Sequence, residues 1–167
     1  MERTWIISTL VENKPGVLQR VASMFRSRWI NIESLTVGPI QSPDLSRMTI
    51  VIRGDEKKVR RVARHLRKLI DVIEVKVLEE QQTVFNELAL LKVSYREPEV
   101  RSDILNLVNI FGYRIVHADF DSMIVELVDT PDKIESFMKL LEPYGIIEFA
   151  RTGVTALPKV RDGYEVY

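Results

Sequence analysis

The chain has 167 residues, of which 46% are hydrophobic and 29% charged; this is the composition of a folded globular protein of one domain, or of two with about 70–85 residues each. Its 24 Lys and Arg balance 24 Asp and Glu, so no net field draws it to nucleic acid or a membrane surface. With no Cys and two His, disulfides, thiolate metal sites, iron–sulfur clusters, a cysteine nucleophile and His-rich metal sites are excluded.

No apolar run approaches the roughly 18–20 residues of a membrane span, and the opening Met1-Glu2-Arg3-Thr4-Trp5 lacks a secretory signal pattern. The expected location is therefore the cytoplasm. Trp5 to Val11 is an apolar, β-branched run that predicts a buried strand. Asn13-Lys14-Pro15-Gly16 breaks it. Leu18, Val21, Ala22 and Phe25 then follow the stripe of an amphipathic helix. Ile30 to Val37 predicts a second strand, closed by Gly38-Pro39. Met48, Ile50 and Ile52 alternate with Thr49, Val51 and Arg53, which predicts a third strand antiparallel to the second. A helix opens at Gly54-Asp55-Glu56 with Val59, Val62 and Leu66 inward, and Val72 to Leu78 predicts a fourth strand.

The same order returns in the second half. Leu88 to Ser94 predicts a strand and Val100 to Phe111 a helix. Arg114 to Ala118 and Met123 to Val128 predict a hairpin of strands, Pro131 to Tyr144 a helix, and Ile146 to Ala150 a closing strand. Val59, Val62 and Leu66 correspond to Ile134, Phe137 and Leu141, and Ile73-Glu74-Val75 to Ile147-Glu148-Phe149. The fold class expected is α+β, two ferredoxin-like βαββαβ units in tandem. The domain boundaries expected are 1–78, a linker at 79–83, a second domain at 84–157, and a tail at 158–167. Strands apolar on nearly every residue in the first unit predict cover on both sheet faces, supplied by pairing with a like unit in an oligomer.

The strand-to-helix turn Asn13-Lys14-Pro15-Gly16-Val17-Leu18 is the leading candidate site. Gly permits close backbone approach, and the first free N–H groups of a helix receive an anion, here one the size of a carboxylate. A plain Pro-Gly turn explains the same residues. Asn31, between Ile30 and Ile32, is the second candidate, with a local turn as its alternative. The run Lys57 to Lys68 reads as a solvated outer helix face or as a surface for nucleic acid or an acidic partner. A nucleic-acid sheet would carry stacking aromatics, and Met48-Thr49-Ile50-Val51-Ile52 has none. His65 and His117 lack ligand spacing. Asp119 and Asp121 read as a charged turn, and Ser34, Ser46 and Ser122 lack a nucleophile context.

Glu12 to Val21, Phe25-Arg26-Ser27-Arg28, Asn31 to Val37 and Leu45 to Ile50 resemble, in order and spacing, the small regulatory subunit family of acetolactate synthase. Arg151-Thr152-Gly153 is similar to that family's Arg-Ser-Gly signature. The resemblance covers almost the whole chain. It implies an N-terminal ACT domain and a C-terminal domain of related shape, with no active site. It implies a partner, the catalytic subunit, which carries thiamine diphosphate, Mg²⁺ and FAD and is activated by the small subunit. It further implies feedback inhibition by valine or another branched-chain amino acid, bound between the paired ACT domains of a homodimer. The implied effector contacts are Asn13, Lys14, Pro15, Gly16, Val17 and Leu18 from one domain, and Asn31, Ile32, Glu33 and Val37 from the other. The alternative is a stand-alone amino-acid sensor or transcription-linked regulator using the same site. Where the family has Gly before the aromatic residue, this chain has Trp29, so an altered helix exit is expected.

Overall fold

In the computed structural model, which describes residues 2–159, the periodicities resolve into nine strands and four α-helices among those residues. The first unit runs β1 (Arg3–Glu12), α1 (Val17–Arg26), β2 (Ser34–Pro39), β3 (Leu45–Gly54), α2 (Glu56–Leu66) and β4 (Val72–Leu78). Its sheet is antiparallel in the order β2-β3-β1-β4, which leaves β2 and β4 at the edges. Val17, Val21, Met24 and Phe25 of α1 and Val59, Val62, Ala63 and Leu66 of α2 pack on Ile7, Val11, Met48, Ile50 and Ile52. This is the helical stripe meeting one set of alternate strand residues. Asp55 starts α2 by accepting the Lys58 N–H at 2.7 Å, a side-chain cap on the first turn.

The second unit repeats the plan. After a 3₁₀ turn at Glu80–Gln82 come β5 (Thr83–Ser94), α3 (Pro98–Phe111), β6 (Arg114–Ala118), β7 (Ser122–Asp129), α4 (Pro131–Leu141) and β8 (Ile146–Arg151). Its strand order is β6-β7-β5-β8. Ala89, Leu91, Val93, Ile104, Val125, Phe137 and Leu141 form the core. Pro occupies the first helical turn of both α3 and α4, where its missing N–H costs nothing.

Three features differ from expectation. First, β2 starts at Ser34, not Ile30, because the chain before it completes a helix exit. Trp29 adopts φ 54°. Its N–H bonds to the Arg26 carbonyl at 3.1 Å, and the Ile30 N–H reaches back to the Phe25 carbonyl at 3.1 Å. This is the paired hydrogen-bond pattern that normally ends on Gly, with Ile30 packed in the core beside Phe25. The exit is therefore kept, with Trp in the left-handed position.

Second, the last residues of the expected second domain form a strand, β9 (Thr155–Pro158), which pairs β5 off the path of the main sheet; the expected tail lies outside the described residues from 160 onward. Third, β9 does not belong with the second domain. The compact units are Met1–Phe85 with the segment from Val154 onward, and Asn86–Gly153. Val154 and Ala156 pack with Phe85 on Ile6, Val51 and Leu78, the alternate strand residues that point away from the helices. Part of the second face of the first sheet is thus covered by the chain's own later segment, where the sequence pointed to a like unit. Four residues are too short a run to show a period.

Candidate functional site

Gly16 caps α1 with φ 87° and ψ −11°, and no side chain caps the helix. A Cβ at this position would meet nothing within 4 Å, so the corner is open. The Val17 N–H makes a long turn bond to the Lys14 carbonyl at 3.4 Å. The N–H groups of Leu18 and Gln19 find no acceptor among the described residues. An anion at this point would meet unpaired donors and the positive end of the helix dipole.

The surrounding side chains fix the loop. Asn13 donates from Nδ2 to the Pro43 carbonyl at 2.8 Å, and its own N–H bonds to the Asp44 carbonyl at 2.7 Å. The loop is therefore tied to the β2–β3 connection. Lys14 is exposed and pairs with Glu12 at 2.9 Å. The hydrogen bond and charge of Glu12 raise the Lys14 pKa above its usual value. Arg20 grips Asp71 through two nitrogens, Nε at 2.6 Å and Nη2 at 3.1 Å, and Asp71 is buried. This fork anchors α1 against the α2–β4 junction. The two residues are 51 apart in sequence, so no local spacing announces the pair.

The apolar positions divide. Leu18 is 44% exposed and Val37 is 48% exposed, but Val17 is 3% exposed and points into the core. Only the backbone of Val17 is therefore available to a ligand. Asn31 donates to Glu33 Oε1 at 3.1 Å, and the Glu33 N–H bonds to the Val51 carbonyl at 2.8 Å. Ile32 packs against the core.

Strand register decides how these groups relate. The Asn13–Gly16 loop follows Glu12, which pairs with Leu45, while Asn31–Glu33 leads into Ser34, which pairs with Val51. The two segments sit at opposite ends of the sheet, six β3 residues apart or ~20 Å at the strand rise. A single copy of the unit does not bring them together.

The weaker candidates fall into structural roles. The apolar residues of α2 face inward and its cations outward. Arg60 pairs with Glu56 at 2.6 Å, and Arg28 donates to His65 Nδ1 at 3.2 Å. Desolvation, then Arg28, Lys68, Arg61 and Arg64, lower the His65 pKa. Asp119 accepts the Phe120 N–H at 2.8 Å, the pattern of a charged turn, and Tyr95 donates its hydroxyl to the Asp119 carbonyl. Among the described residues no cluster of His, Asp or Glu has the makings of a metal site. In the Arg151-Thr152-Gly153 segment, Arg151 pairs with buried Glu87, and Thr152 exchanges hydrogen bonds with the Leu88 backbone. Gly153 then turns the chain with φ 86°. Arg151 and Thr152 hold β5 and β8 together.

Comparison with known proteins places the chain's family. Residues 7–74 match a family described as the AHAS small subunit-like ACT domain, and residues 86–160 match one described as the small subunit of acetolactate synthase. A probable acetolactate synthase small subunit of Methanothermobacter thermautotrophicus is 47% identical over 93% of each chain. One from Archaeoglobus fulgidus is 51% identical over 90% of this chain and 94% of its own. The crystal structure of the acetolactate synthase small subunit from Thermotoga maritima superimposes with a TM-score of 0.88 at 35% identity. That match covers 95% of this chain and 99% of the other.

Proposed function

The chain belongs to the acetolactate synthase small-subunit family, and from that premise we propose that it activates a catalytic subunit and makes it sensitive to valine or a related branched-chain amino acid. The thiamine diphosphate, Mg²⁺ and FAD chemistry resides in that partner. Two copies pair through the β2 edges of their ACT domains, and the effector sits at the seam.

The observation that carries this reading is the unpaired corner at Gly16. The effector's carboxylate accepts hydrogen bonds from the Leu18 and Gln19 N–H groups of one copy. Its ammonium meets the side-chain oxygens of Asn31 and Glu33 of the other. Leu18 and Val37 contribute apolar surface to the short side chain. Binding at the two equivalent sites of the seam favours one arrangement of the paired domains, and the catalytic partner reads that arrangement as lowered activity.

Gly16→Asp places a carboxylate where the effector's own would bond, in a conformation that Asp tolerates better than most residues. It should abolish valine binding and leave stimulation of the catalytic subunit intact. Asn31→Ala should weaken valine binding about tenfold, the worth of one polar anchor. Calorimetry with valine on the purified chain, followed by an inhibition curve on the reconstituted pair, measures both. Unchanged valine affinity in both variants removes the site; a wild-type chain that fails to stimulate the catalytic subunit removes the function.

A further inference from the structure

The Leu45–Ile50 block contributes two residues that the ACT seam does not use. Met48 and Ile50 point into the helix-covered core, so their neighbours Arg47 and Thr49 point to the opposite face of the sheet. There the register forms a polar row of Thr36, Thr49, Ser8 and Lys76, with Arg47 opposite Gly38 in the next row. Val154 and Ala156 cover the apolar end of this face and leave the Arg47 end uncovered. The result is a cavity of about 440 Å³, within the range of small-molecule sites. Its floor is Thr36, Arg47 and Thr49, one wall is Thr155 to Leu157, and its rim is the turn at Gly38 to Gln41.

Arg47 is half-buried and donates one hydrogen bond, to Ser8 Oγ at 2.9 Å. Among the described residues no carboxylate pairs with it, and no Asp or Glu lines the cavity. Thr49 is 2% exposed and its hydroxyl bonds to nothing among the described residues. At Gly38 a Cβ would meet nothing within 4 Å, so the space beside the guanidinium is open. A guanidinium held in a partly closed site, with hydroxyls around it and no internal anion, is built to receive a carboxylate. Ile40 and Leu157 offer apolar contact to a short aliphatic body.

Thr36 donates its hydroxyl to the Val154 carbonyl at 2.8 Å and Thr155 donates to Thr36 at 3.5 Å, which leaves Thr49 as the free hydroxyl. We infer that this cavity binds a small 2-oxo or 2-hydroxy monocarboxylate through Arg47, with the Thr49 hydroxyl meeting the second oxygen. A zwitterionic amino acid is selected against, because its ammonium would enter beside Arg47 and find no carboxylate. The site is separate from the Gly16 corner: one takes a bare anion, the other a zwitterion.

The test is calorimetric titration of the full-length chain with 3-methyl-2-oxobutanoate, and with valine and inorganic phosphate as competitors. Saturable binding is expected in the wild type. Arg47→Met should lose at least tenfold in affinity, Arg47→Lys less. Thr49→Val should lose severalfold while melting within a degree or two of the wild type. That isosteric change gives an independent reading if Arg47→Met fails to fold. Gly16→Asp should leave oxo-acid binding unchanged, which separates this site from the effector seam. The inference is overturned by a wild-type chain that binds no oxo acid, or by equal affinity in the Arg47→Met and Thr49→Val proteins. Displacement by valine or phosphate at concentrations matching the oxo acid also overturns it.

Discussion

Trp29 occupies a left-handed position with its side chain 97% exposed, so it carries the conformational cost of an L-residue there and no packing to offset it. Trp29→Gly should stabilise the protein by ~0.5–1 kcal/mol, the left-handed penalty less the extra chain entropy of Gly. Urea denaturation measures it, and a loss of stability would show that the indole makes an unrecognised contact. The sequence marks this position, and Trp argues locally against φ > 0, so an altered exit is expected there. The hydrogen bonds from residues 29 and 30 and the burial of Ile30 outweigh that preference. Tyr113 shows a second residue-scale effect. Burial, then the charge of Asp129 and a long hydrogen bond to it at 3.4 Å, push its pKa up to about 12 from the usual 10.0. A pKa raised on folding means stability present below pH 10.0 and lost as pH rises toward 12. The advantage of the wild type over Tyr113→Phe, followed by urea midpoints from pH 9 to 12, should therefore shrink across that window.

At the scale of elements, the helices and long strands were legible because burial imposes period 3.6 or period 2 on enough residues to count. Asp55 at the start of α2 and Pro131 at the start of α4 were legible as punctuation. β9 was not, since Thr155-Ala156-Leu157-Pro158 is shorter than its own pattern. Only tertiary packing reveals that Ala156, at 1% exposure, closes over Ile6, Val51 and Leu78. Ala156→Asp would bury an unpaired carboxylate at a cost of about 3 kcal/mol or more. Hydrogen exchange should accelerate in β1 and β3 of the first unit and leave the α3–α4 core protected; uniform acceleration would contradict this assignment of β9. The candidate site follows the same division. The Gly16 turn and Asn31 stood out by residue type, whereas the ~20 Å between them depends on strand register, and register is a long-range property that spacing along the chain does not carry.

For the whole molecule, the two family matches at residues 7–74 and 86–160 suggest simple tandem modules, yet the compact units are not simple in sequence. The first unit is discontinuous, and Asn86–Gly153 lies between its two parts. A fragment ending at residue 78, the boundary expected from the repeat, would leave Ile6, Val51 and Leu78 without Phe85, Val154 and Ala156. It should be less stable than the first unit of the intact chain and self-associate at concentrations where the full chain does not. Residues 86–153, whose core is drawn from their own elements, should fold alone. Sedimentation and thermal melts of both fragments check this; a well-behaved 1–78 fragment would show that the β9 cover is dispensable.

Discontinuity also sets an order of events during synthesis. The first sheet and its helices are complete once Leu78 has left the ribosome, but their cover lies beyond the 68 residues of the second unit. Ala156 follows Leu78 by 78 residues, so at about 5–20 residues per second the wait is roughly 4–16 s. During that interval Ile6, Val51 and Leu78 stay open to whatever is nearby, including another nascent chain of the same kind.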